Sequence, residues 1–156
     1  MASIVLQISI AWIYSHIAEY VIHRFVLHKF AAKKGRIFSF HWYGHHSTAR
    51  LNGFIDSSYF GNPFKINSAG KELFALSSII LIHLPLVFYF PWAFAMMCAS
   101  SASYYYLHRK SHRNPEWAMK NLRWHYDHHM ALNQNANYGV RSDIIDRVVG
   151  TREYTR

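Results

Sequence analysis

Cysteine is nearly absent from this chain. Cys98 is the only one among 156 residues, so no disulfide forms within it and the redox compartment stays open. Carboxylates are scarce as well: eight Asp and Glu stand against 17 Lys and Arg, for a formal charge of +9. The basic residues are themselves missing from two long stretches, 1–23 and 72–108, and residues 73–107 carry no Lys, Arg, Asp or Glu at all. Lys and Arg therefore never gather into a stripe free of apolar spans, which argues against a nucleic-acid partner. The opening residues lack the basic start of a cleavable signal peptide, so the first apolar segment is expected to persist in the mature protein.

What is present is apolar and aromatic. Hydrophobic residues make up 51% and aromatics 17%, yet mean hydropathy is only −0.08. That average conceals two populations, long apolar runs and short basic stretches rich in histidine. The mixture predicts an all-α, integral-membrane helical bundle with a cytoplasmic His-rich helical cap, formed as a single domain over residues 1–156.

Spans are expected at about 3–22, 73–90 and 91–107. The first is interrupted by Gln7, His16 and Glu19, so one face looks toward protein, and the helix is expected to run on to about Lys33. Residues 73–107 are too long for one span and suit two, since half of them cover roughly 26 Å at about 1.5 Å per residue. Phe90, Pro91 and Trp92 are the natural turn, and Pro85 should kink the arm before it. A second, amphipathic helical stretch is expected over 37–46. Gly53, Gly61, Pro63, Asn67 and Gly70 mark residues 50–71 as an irregular connection lying on the membrane surface. From His108 the chain reads as polar and helical to about Ala131, then as irregular.

Histidine is the outlying residue, with 12 copies. His23 and His28 are followed by His41, His45 and His46. After the apolar hairpin come His108 and His112, then His125, His128 and His129. Each half delivers a pair and then a triplet, the triplets ending in adjacent histidines. On an α-helix His125, His128 and His129 span about 100° and His108 and His112 differ by about 40°. His23 and His28 lie about 140° apart, which requires a wide site or a distorted turn. Neutral imidazole suits iron, zinc and copper. Ten ligands exceed what one ion takes, so two ions with about five imidazoles each fit the count. His16 and His83 stand outside the pattern, and His83 is expected to hydrogen-bond within the bundle.

The order of these boxes resembles the fatty acid hydroxylase and sterol desaturase superfamily of membrane di-iron enzymes. Tyr106-Leu107-His108 through His112, then His125-Tyr126-Asp127-His128-His129, carry the resemblance. Asn137-Tyr138-Gly139-Val140 and Asp146-Arg147-Val148-Val149-Gly150-Thr151 close it. It covers roughly residues 20–151. In size the chain is similar to the compact carotene hydroxylases, while its ending is closer to the fatty acid hydroxylases.

The resemblance implies that His23, His28, His41, His45, His46, His108, His112, His125, His128 and His129 bind two Fe ions, with zinc a possible substitute in recombinant protein. Asn137, Tyr138 and Asp146 are implied to support the centre or the local fold, a helix cap being the alternative for Asp146. The implied activity is hydroxylation of an unactivated C–H bond in a lipid, whether fatty acyl, sphingolipid, sterol or carotenoid. It uses O2 and an external electron carrier of haem or iron–sulfur type. Tyr104, Tyr105, Tyr106, Phe88, Tyr89 and Phe94 are candidates for the walls of an apolar channel. Desaturation by a member of the same family is the alternative outcome. A histidine-rich membrane metal carrier or haem bundle is the alternative from another class, but a carrier needs ionisable groups inside its spans and a haem bundle needs only two histidines.

Charge placement gives orientation. Eight Lys and Arg fall between Arg24 and Lys71 and nine between Arg109 and Arg156. Both blocks should face the cytoplasm, putting all four His clusters on one side of an endoplasmic reticulum membrane in a eukaryote or of the inner membrane in a bacterium.

Overall fold

The computed structural model describes residues 3–154, and among them every regular element is helical. Residues 1, 2, 155 and 156 of the expected single domain lie outside the described residues. Helix α1 (Ile4–Val21) starts where the Ser3 hydroxyl accepts from the Leu6 amide at 3.2 Å. It continues without a break into a π-helical segment, Ile22–Phe30, and stops there rather than at Lys33. A second π-helical segment, His41–His46, leads directly into α2 (Ser47–Leu51).

Asn67 caps α3 (Ser68–Ile82) by accepting from the Gly70 amide at 3.0 Å. Gly70 is obligatory, because a Cβ there would sit 1.8 Å from the Lys65 carbonyl oxygen. Pro85 follows the end of α3, and the arm resumes as a single turn, α4 (Leu86–Tyr89). The chain reverses at Phe90, and Pro91 occupies the first turn of α5 (Pro91–Arg113), where its missing N–H costs nothing. Asn114 and Pro115 start α6 (Pro115–Asn121), which is followed by α7 (Arg123–Met130) and, after an irregular stretch, α8 (Ile144–Val149).

Helix α5 packs along α1 through small and polar groups. Ala11, Met97 and Ser100 are buried, Ser100 donates to Ser15 at 3.0 Å, and the Trp92 amide donates to the Gln7 side chain at 3.3 Å. The large apolar residues point the other way: Ile4, Val5, Ile8, Ile13, Ile17 and Val21 on α1, and Phe74, Leu81 and Ile82 on α3, are exposed. This inverts the pattern of a water-soluble helix. Among the described residues one continuous helix, Ile4–Phe30, is by length and composition able to cross a membrane.

The connection over 50–71 departs from expectation. It does not simply lie on a surface. Phe54, Asp56 and Tyr59 are buried, and Arg109 on α5 holds the segment down by donating to the carbonyls of Tyr59 at 2.9 Å and Gly61 at 3.1 Å.

Candidate metal centre

The ten histidines of the two repeated patterns are all buried, with exposures of 5% or less. His23, His28, His41, His46 and His128 form one cluster able to hold a metal ion, and His45, His108, His112 and His129 form another. In each, one ligand atom per residue lies within 4.8 Å of every other. His125 adjoins the second cluster, its Nε2 3.2 Å from that of His112 and its ring centroid 4.8 Å from that of His129.

Two local devices assemble these groups. The first is the π-helix. Its i→i+5 hydrogen bonding stacks residues five apart, where an α-helix would splay them by about 140°. His23 and His28 lie five apart on the first π-segment and His41 and His46 five apart on the second; both pairs have ring centroids 4.9 Å apart. The distorted turn that the His23–His28 spacing demands is therefore present, twice.

The second device is the adjacent His-His pair. Consecutive helical residues diverge by about 100°, so each pair divides. His46 and His128 enter the first cluster, while His45 and His129 enter the second. The two clusters share a wall there, with the rings of His46 and His129 stacked at 4.0 Å.

The outer ring nitrogens fix the tautomers. His23 Nδ1–H donates to the Tyr138 carbonyl, His112 to that of Phe54 at 2.8 Å and His128 to that of Ala136 at 2.6 Å. A carbonyl only accepts, so in these neutral rings Nε2 carries the lone pair. His45 Nδ1 meets Asp56 at 2.8 Å, His108 Nδ1 meets Glu72 at 2.6 Å and His46 Nδ1 meets Gln134 at 3.1 Å. This is how metal-ligating imidazoles are oriented in general.

The inner nitrogens then face one another: His28 Nε2 is 3.0 Å from His128 Nε2 and 3.2 Å from His46 Nε2, and His23 Nε2 is 3.0 Å from His41 Nε2. A single N–H on His28 satisfies only one of its two neighbours, whereas a cation among them satisfies all. Separations of about 3.0 Å are short enough for one cation, with bonds of about 2.1 Å to nitrogen, to be held by these atoms together. In the second cluster the Nε2 atoms of His45, His108 and His129 are buried with no protein partner. The donor set fits metal ions at both places.

Desolvation first, and the charge of neighbouring imidazoles second, hold His41, His46, His125 and His129 well below the ordinary imidazole range. They are neutral, the form that binds metal.

The closing motif serves this centre from behind. Asp146 is fully buried and does not cap α8, whose N-cap is Asp143. Its carboxylate accepts from the amides of Tyr138 at 2.9 Å and Gly139 at 2.7 Å and from the Thr151 hydroxyl at 2.7 Å. That fixes the Tyr138 carbonyl against His23. Asn137 adopts φ 59°, and its side-chain oxygen accepts from the Glu153 amide at 2.9 Å. Asp56, Glu72 and Gln134 carry no motif. With eight carboxylates in the chain, the placement of two near a His-rich site was the available signal.

The centre forms the floor at one end of an apolar cleft of about 1200 Å³ between α1 and α3, reached by His23, His41 and His45. Of the six aromatics proposed as its walls, Tyr104 lines it. Tyr106, Phe88 and Tyr89 point outward with exposures of 60%, 81% and 75%. His16 packs on Trp12 with ring centroids 4.6 Å apart, away from both clusters.

Two interlocked, buried imidazole clusters opening on an apolar cleft define a helical protein with a histidine-built site able to hold two metal ions. The chain matches the model of the fatty acid hydroxylase family over residues 8–151 and belongs to that family. No curated protein and no solved structure matches it.

Proposed function

We propose that this chain is a membrane di-iron oxygenase that hydroxylates an unactivated C–H bond of a lipid, using O2 and electrons from an external haem or iron–sulfur carrier. The observation that carries the reading is that the two imidazole clusters floor an apolar cleft large enough for a lipid. Two iron ions held by the ten histidines would supply the redox chemistry. Zinc could occupy the same nitrogens in recombinant protein.

The residues do the rest. The carbonyls of Tyr138, Phe54 and Ala136, with Asp56, Glu72 and Gln134, aim the imidazole lone pairs inward. Asp146 and Asn137 hold the closing segment that presents Tyr138. The cleft walls, including Ile22, Val26, Leu76 and Ile79, keep water from the reacting carbon and orient an apolar chain toward His23, His41 and His45. Lipid mass spectrometry of cells with and without the chain tests the reading. A lipid gaining one oxygen is the expected result, loss of two hydrogens identifies desaturation, and an unchanged profile in cells holding metal-loaded protein overturns an oxygenase.

In this reading α1 and the arms 73–90 and 91–107 lie in the bilayer, as the exposed apolar faces of α1 and α3 support. Both basic blocks, with the histidines, lie on the cytoplasmic side. In a Cys98→Ser background, cysteines placed at Ser39 and Ser142 should both label from the cytoplasm. One at Ala2, which lies outside the described residues, should not. Labelling of Ser39 and Ser142 from opposite sides would sink the topology.

A further inference from the structure

We infer that the hydrogen bond between Tyr14 and His83 closes the cleft at a fixed depth and thereby sets the length of unbranched acyl chain that the protein accepts. The inference rests on the cleft being a lipid site, as proposed above. His83 is a polar residue in a stretch otherwise free of charge, and the metal centre makes no use of it. Its Nδ1 lies 2.8 Å from the Ile79 carbonyl, which only accepts, so Nδ1 carries the proton and Nε2 is bare. The Tyr14 hydroxyl therefore donates to Nε2, at 3.0 Å, tying α1 to the end of α3 across the cleft. The two rings meet edge to face, with centroids 5.8 Å apart.

A second apolar recess of about 450 Å³, open on one side, lies beyond this tie and is lined by Gln7, Ile10, Ala11, Leu86, Phe90 and Ala93. Tyr14, His83 and Met97 border both spaces, so the tie is the partition between them. Tyr14 precedes His23 by nine residues, about 13 Å of helix axis. A saturated chain with bonds of about 1.5 Å at tetrahedral angles advances about 1.25 Å per carbon, so roughly ten carbons separate the level of His23 from the tie. Gln7 is seven residues further, about 10 Å, which is roughly eight more carbons. An extended chain held with one end at the metal centre meets the tie with its other end, and the space beyond is the room it gains when the tie is absent.

The test uses the full-length, metal-loaded protein in detergent without reductant, so that binding is read without turnover. Saturated fatty acids of increasing length displace a dansylated fatty acid. Each newly buried methylene should strengthen binding about fourfold until the chain meets the tie, after which affinity levels off. Tyr14→Ala and His83→Ala should each move that cut-off to chains longer by up to about eight carbons. Adding Ala93→Phe to Tyr14→Ala, which fills the far recess, should move it back. Unfolding temperature and metal content establish that each variant is folded. An unshifted cut-off in folded Tyr14→Ala and His83→Ala overturns the inference while leaving the oxygenase reading intact. A shifted cut-off in protein that never oxidises lipid does the reverse. A sterol binding more tightly than any acyl chain, or no acyl binding by the unaltered protein, overturns it as well.

Discussion

Replacing His129 with alanine is expected to abolish turnover and to lower metal content from about two ions per chain to about one. Both ring nitrogens of His129 are buried without a protein partner, so the side chain has no evident role in holding the fold by hydrogen bonds. What it offers is a lone pair to the second cluster. His128→Ala should be equally severe at the first cluster, where His128 Nε2 faces His28. Losing a group that merely orients a ligand typically costs 10- to 100-fold, and losing the ligand itself should exceed that. His16→Ala, outside both clusters, should keep most activity.

Acid should do to several ligands at once what alanine does to one. Burial holds His41, His46, His128 and His129 neutral well below the ordinary value of 6.5. As pH falls below about 6.5 the unfolded chain therefore binds protons that the folded chain refuses, and stability falls with pH. Metal release adds in the same direction, because imidazole must give up its metal to take a proton. Full metal content and activity in purified His128→Ala and His129→Ala would remove both residues from the site.

The histidines were legible because their spacing is a chemical pattern, and the reversal at Phe90 and Pro91 because proline dictates it. How His23 joins His28 was legible only in part, since the spacing left a wide site or a distorted turn open. A 3.6-residue period splays that pair, and the π-helical turn that reunites them has no sequence signature of its own. The division of each adjacent His-His pair between two clusters follows from helix geometry, yet which member enters which cluster depends on how the helices pack. Partners such as the carbonyls of Phe54, Ala136 and Tyr138 were invisible for a simpler reason: every residue has a carbonyl. Asp56, 11 positions after His45, and Glu72, 36 positions before His108, had only the scarcity of carboxylates to mark them. The segment around Asp56 carries the glycines and proline of a surface loop while placing Phe54, Asp56 and Tyr59 in the interior. Of the aromatic walls, Tyr104 holds while Tyr106, Phe88 and Tyr89 point outward, because an aromatic residue in an apolar run serves an outer face as readily as a channel.

Asp146→Ala should be the most damaging change outside the histidines. The carboxylate is fully buried and gathers two backbone amides and one hydroxyl, at 2.9, 2.7 and 2.7 Å, from the two ends of the closing motif. Hydrogen bonds to a charged group contribute about 1.5–3 kcal/mol each and are not additive, so a loss of about 3 kcal/mol or more is expected. Gly139 tightens the same junction: a Cβ there would lie 2.0 Å from the Ser142 carbonyl oxygen and 3.2 Å from Asp146. Asp146→Asn keeps one oxygen for Tyr138 and Thr151 but turns a second donor toward Gly139, and should cost less than alanine without being neutral. Thr151→Val removes a single hydroxyl and should cost about 1 kcal/mol. The ranking alanine, asparagine, valine can be read as decreasing loss of unfolding temperature in detergent. The same ranking should appear in metal content at the first cluster, because the Tyr138 carbonyl that orients His23 is held through its own amide by Asp146. An Asp146→Ala protein that unfolds at the temperature of the unaltered chain and keeps its metal would show that the closing motif does not support the centre.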